Sequence, residues 1–178
     1  MLRRTVDRSV FPMSTGIQWL AAAIAAAAIG GASAEPATFT LKHLTPETAL
    51  KAAQAALSKC RADGYQVTVA IVDRAGVTQV LLRDRFAGPH TPDLAASKAW
   101  TAVSFRTNTT DLEKASRPGQ PMAGVRHVPR VASIGGGMMI QGSGSLFGGI
   151  GISGAPSGDA DDACAAAGIK AIADELEF

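Results

Sequence analysis

Several standard signatures are missing from this sequence, and each gap removes a class of function. There is no H-E-x-x-H, no G-x-S-x-G elbow and no spacing that sets a nucleophile beside a base, so a hydrolase finds no support. A G-x-G-x-x-G match does occur, at Gly149, Gly151 and Gly154 in "GGIGISG", but the second strand of a dinucleotide-binding unit is lacking. A helix read from about Asp159 to Leu176 takes up the chain beyond the glycines, so nothing remains to carry a ribose-binding carboxylate. Also absent is an apolar run of the roughly 20 residues that a membrane span needs. The run from Ile17 to Ile29 is shorter.

That short run has its own meaning. Arg3, Arg4 and Arg8 precede it and the A-x-A site Ala32-Ser33-Ala34 follows it, the pattern of a cleaved export signal over residues 1–34. Translation starts at Met1 or Met13. The domain then covers residues 35–178 and is periplasmic or secreted, with no stable membrane span after cleavage. Of the 17 Lys and Arg three lie in the leader, and of the 15 Asp and Glu one does, leaving 14 of each. A formally neutral domain gives no basis for nucleic-acid binding or for a polybasic membrane surface. Export also places Cys60 and Cys164 in an oxidising compartment, where they either form a disulfide between the first and last helices or stay as two buried thiols.

Local signals give an element order. "HLTPETALKAAQAALSKCRADG" predicts a helix with Thr45 as cap, Pro46 at its first position and Gly64 as its stop, burying Ala49, Leu50, Ala53, Ala56, Leu57 and Cys60. "YQVTVAIVDRAGVTQVLLRD" predicts a β-hairpin turning at Asp73–Gly76. A second helix has Thr91 as cap and Pro92 as its first residue, and a third, short one has Thr110 and Glu113 at capping-box spacing. Residues 117–130 hold Pro118, Pro121 and Pro129 and predict an irregular loop. "VASIGGG", "MMIQG" and "SLFGGIGISG" come next as three strand-like runs. In the last of them Phe147, Gly149, Gly151 and Ser153 share one face, stripped of side chains, against which a helix or a flat ligand can pack. The final helix is capped near Ser157 and has Asp159, Asp161 and Asp162 in its first turn, complementing the helix dipole. Together these give an α/β chain of the α+β kind, a mainly antiparallel sheet flanked by helices.

Four segments in this order, "LTPETALKAAQAAL", "VTVAIVDRAGVTQVLLRD", "AGPHTPDLAASKAWTAVSF" and "GGIGISGAPSGDADDACAAAG", resemble the GlcG/HbpS-like family of small haem-binding proteins, also called the haem-degrading domain family. The resemblance implies a profilin-like sandwich with a five-stranded sheet and self-association, from tetramer to octamer. It further implies a haem or other tetrapyrrole ligand, with slow oxidative haem breakdown and iron binding in some members. Others are known only by their operon neighbours, so function transfers less well than fold, and the alternative reading is a non-haem accessory or small-metabolite-binding oligomeric module of glycolate-operon type.

Candidate ligand residues come from haem chemistry, which favours His, Met, Cys or Tyr on iron. His43 reads as a solvated residue, His90 sits on the loop before the second helix, and His127 lies beside Arg126 and Arg130, guanidinium partners for propionates. The resemblance puts an iron contact at Thr109, which is equally a natural helix cap, and turns Lys98 and Thr101 towards the pocket, although a solvated lysine is the simpler reading. Of Met138 and Met139 one is expected in the core, leaving the other for a ligand. Asp174 and Glu177, three apart on the last helix, are a weak candidate iron site or a solvated helix end. The glycine-faced strand and the 117–130 loop are expected to border the ligand.

Overall fold

The computed structural model describes residues 36–177, so the export signal read over residues 1–34 lies outside the described residues. The domain begins at Leu41. Helix α1 (Pro46–Ala62) starts as its sequence dictates: Thr45 Oγ1 accepts from the Thr48 N–H at 3.2 Å, and Gly64 closes the end at φ +85°. Its buried stripe includes Ala52 in place of Leu50, which is 39% exposed. Leu50 lies about 100° round the helix from Ala49, beyond the arc that meets the sheet.

Strands β1 (Thr68–Asp73) and β2 (Thr78–Arg83) form the expected hairpin. Its turn is held by Asp73 Oδ1, which accepts from the Ala75 and Val77 N–H groups at 2.8 and 2.9 Å. After it come α2 (Thr91–Phe105), α3 (Thr109–Ala115), a 3-10 turn (Ala123–His127), β3 (Gly137–Gly142), β4 (Ser145–Ser153) and α4 (Gly158–Lys170). The sheet is antiparallel throughout in the order β2-β1-β4-β3, which gives the α+β class. It has four strands where five were expected. "VASIGGG" supplies no separate strand, because its donors are taken by side chains: the Ala132 N–H reaches Thr101 Oγ1 at 2.9 Å and the Gly136 N–H reaches Asp162 Oδ1 at 2.7 Å.

β1 is buried on both faces and divides the core in two. Val69, Ile71, Ile140, Ile150 and Ile152 face α1 and α4, whose alanines let both helices lie close to the sheet. Val72 and Leu146 face Ala99 and Val103 of α2. There the stripped face of β4 finds its partner. A Cβ on Gly151 would lie 2.0 Å from the Ala95 carbonyl oxygen, and one on Gly149 would lie 2.8 Å from that of Ala99. The glycines therefore admit a helix backbone, which fills this face at Gly149 and Gly151. Phe147 does not share their face as alternation predicted. The register slips between Ile140 and Gln141, so Ile140 pairs with Gly148 and Gln141 with Leu146. Phe147 is the extra residue and turns into the α1/α4 core.

Cys60 and Cys164 are paired across α1 and α4, with Cα atoms 5.5 Å apart, which settles the two readings of these cysteines. Helix α4 ends earlier than expected, and Ile172 and Leu176 are buried from the turns beyond it.

Candidate functional site

At one end of the sheet, the loop before α2, the loop after β4 and the N-terminus of α4 enclose a cleft of about 460 Å³. Tyr65, Phe86, Leu94 and Ile134 give it apolar walls, and His90 stands at its rim. The imidazole lies against Gly88, where a Cβ would come within 2.8 Å of His90 Cε1, so the glycine leaves room for the ring. His90 occupies the N-cap position of α2 that was expected for Thr91. Thr91 is turned elsewhere: its hydroxyl donates to the Gly88 carbonyl at 2.7 Å and shares a hydrogen bond with Thr68 at 2.7 Å.

The floor of the cleft is ionic. Lys98, 2% exposed, donates from Nζ to Asp161 Oδ2 at 2.7 Å and to the Ile152 carbonyl at 2.9 Å. Asp161 Oδ1 accepts from the Ala155 N–H at 3.1 Å. Burial pushes the Asp161 carboxyl above its ordinary range, with Lys98 pulling the other way. Gly136 crosses over the pair at φ +112°, and a side chain there would lie 2.7 Å from Lys98 Nζ. Lys98 is therefore not solvated but buried and paired, and it lines the cleft.

The remaining candidates are scattered. Thr101 and Thr109 are buried away from the cleft. Thr101 Oγ1 accepts from Ala132 and donates to the Ser97 carbonyl, and Thr109 Oγ1 accepts from the Gly137 N–H at 2.8 Å. Nor do the threonines cap α3, whose N-cap is Asn108; the Thr110 hydroxyl donates to Asp162. Arg126 folds back onto the end of α3, donating from Nε to the Ser116 carbonyl at 2.7 Å and from Nη2 to that of Glu113 at 3.1 Å. Arg130 lies over the Trp100 ring, 5.1 Å from its centroid. His127 is exposed on the 3-10 turn, and none of these three lines the cleft. Met138 packs on the core and Met139 reaches the far end of α2. Asp174 and Glu177 do not share a helix face, because α4 stops at Lys170 and both are exposed beyond it. The acid engaged there is Glu175, 2.5 Å from Lys51 Nζ, which lowers its pKa.

Sequence reasoning missed Asp161 as Lys98's partner and Phe86 and Ile134 as walls. One signal for the first was legible. Ala95, Lys98, Ala99 and Ala102 fall on one helical stripe, which buries the lysine and demands an acid opposite it.

Residues 44–170 match the family described as "Haem degrading protein HbpS-like". The chain belongs to that family. Among curated proteins it is similar to the corrinoid adenosyltransferase PduO of Citrobacter freundii, 41% identical over 98 residues, 53% of this chain and 29% of that protein. PduO of Salmonella typhimurium is 37% identical over 103 residues, 57% of this chain and 31% of that protein. The chain thus matches less than a third of the length of these relatives. Among solved structures it is similar to a double mutant of HbpS from Streptomyces reticuli, with TM-score 0.70 and 41% identity, covering 75% of this chain and 89% of that one. The PduOC:heme complex gives TM-score 0.70 and 34% identity over 73% and 95% of the two chains. Protein ORFY of Klebsiella pneumoniae gives TM-score 0.73 and 25% identity over 76% and 94%.

Proposed function

We propose that this chain is an exported haem-binding member of the HbpS-like family, with the ligand in the cleft at the N-termini of α2 and α4 and His90 as the iron ligand. One observation carries the reading: an exposed imidazole stands at the rim of about 460 Å³ of space beside bare apolar surface, with Phe86 79% and Ile134 44% exposed. A flat apolar macrocycle with a nitrogen-seeking iron fits that set of groups. Thr109 fits the role less well, since it is fully buried and its hydroxyl is bonded to Gly137. Asp174 and Glu177 offer no third ligand, and no group of three His, Cys, Asp or Glu able to hold a metal occurs among the described residues. The haem of the PduOC complex and the family description support the ligand. Export rests on the leader pattern and on the Cys60–Cys164 pair, oligomer formation on the resemblance and on Leu81, exposed on the edge strand β2, with Val77 exposed just before it. Slow oxidative breakdown of the bound haem rests on the family description alone.

Hemin titration of the purified mature protein tests the reading. A Soret shift at micromolar protein is expected, with His90→Ala weakening binding at least about tenfold and Thr109→Ala leaving it within about twofold. No shift in the unmodified protein would leave a non-haem, small-metabolite module. Loss of the Soret band on adding peroxide separates breakdown from carriage, and light scattering on the same sample reads the tetramer-to-octamer mass.

A further inference from the structure

At the opposite end of α2 from the cleft lies a smaller cavity of about 220 Å³, between the β1–β2 turn, the C-terminus of α2 and the β3–β4 turn. Its polar side chains are all groups that can donate: the guanidiniums of Arg74 and Arg106, the Gln141 amide and the Ser145 hydroxyl. Met139 and Leu146 supply one apolar wall, and no carboxylate lines it. Among the described residues neither guanidinium has a carboxylate partner. The acid beside Arg74 in sequence, Asp73, directs Oδ1 to the N–H groups of its own turn. Both arginines also sit on fixed backbone. Arg74 rides the Asp73-braced turn, and Arg106 is the α2 C-cap at φ +50°, ψ +45°, with its N–H bonded to the Ala102 carbonyl. Glycine is the usual residue in that left-handed conformation, so an arginine is held there against backbone preference.

We propose that this cavity binds a small organic oxyanion, a carboxylate or a phosphate monoester, gripped by Arg74 and Arg106 with its apolar part against Met139 and Leu146. Two planar forks can take both oxygens of such a group, which a single surface lysine cannot. The site is separate from the cleft and does not depend on haem.

Calorimetric titration of the purified mature protein with benzoate and with inorganic phosphate, at constant ionic strength, tests it. Saturable binding of at least one probe is expected, weakened at least about tenfold in Arg106→Gly and in Arg74→Ala. Arg106→Lys should bind with an affinity between those of the unmodified protein and Arg106→Gly, keeping the charge and losing the fork. Arg106→Gly suits the left-handed backbone, so its thermal midpoint without ligand should equal or exceed that of the unmodified protein, separating lost binding from lost folding. Benzoate alone binding identifies a carboxylate ligand, and phosphate alone a phosphate ester; either supports the site. No saturable binding of either probe, or equal binding by the unmodified protein and both alanine and glycine variants, overturns it. Hemin binding by the same variants should be unchanged, and a parallel loss would refute the separation of the two sites.

Discussion

The most consequential single residue is Lys98, because a 2% exposed ammonium is tolerable only opposite its acid. Lys98→Met strands Asp161 in the core and is expected to cost about 3–5 kcal/mol, whereas Lys98→Met with Asp161→Leu should restore stability to within about 1 kcal/mol of the starting protein. Urea midpoints of the single and double variants check this, and additive losses would contradict it. Asp84 makes a different prediction. Arg61 donates to both its oxygens, at 2.8 and 2.9 Å, and holds its carboxyl down at about 2 against an ordinary 3.8. A folded-state pKa below the unfolded one contributes stability above about pH 4 that disappears as the pH falls towards 2. Because Arg61 is half exposed, solvent screening reduces this to about 1 kcal/mol. The stability gap between the unmodified protein and Asp84→Asn should therefore be present at pH 6 and close near pH 2.

Among elements, the pairing of α2 with β4 decides where ligands can go. The face over Gly149 and Gly151 that looked available to a flat ligand is filled by a helix backbone, and the cavities of about 460 and 220 Å³ lie at the two ends of α2. Gly151→Ala pushes a methyl to within 2.0 Å of the Ala95 carbonyl and should cost about 3 kcal/mol or more, since β4 and α2 must separate. Gly124→Ala is the matched control, for a Cβ there meets nothing within 4 Å and the expected change is within about 0.5 kcal/mol. Equal effects in denaturation would show that the close approach is not what Gly151 serves.

For the whole molecule, the Cys60–Cys164 link joins positions 104 residues apart and ties together the two helices that cover one face of the sheet. On the chain-entropy model such a loop contributes about 4–5 kcal/mol by restricting the unfolded chain. The Cys60→Ala, Cys164→Ala double variant should fold with a urea midpoint lowered accordingly. Both cysteines are fully buried, so a mild reductant should leave the native link intact until the protein unfolds.

The features that the sequence determined by itself are local: the Thr45–Pro46 helix start, the Asp73–Gly76 turn and the Ser157 cap all arise from propensity and capping chemistry over a few residues. The stripe Ala95, Ala99, Ala102 carried a local sign of Lys98's burial, but a solvated lysine was the simpler reading and the structure overturned it. Only the tertiary structure decided the rest. A one-residue bulge turned Phe147 to the other face, the Thr101 hydroxyl and the Asp162 carboxylate accepted the N–H groups of the expected fifth strand, and Asp161 was aimed at a lysine 63 residues away. Those outcomes depend on which distant groups meet, and local periodicity carries no record of partners far along the chain.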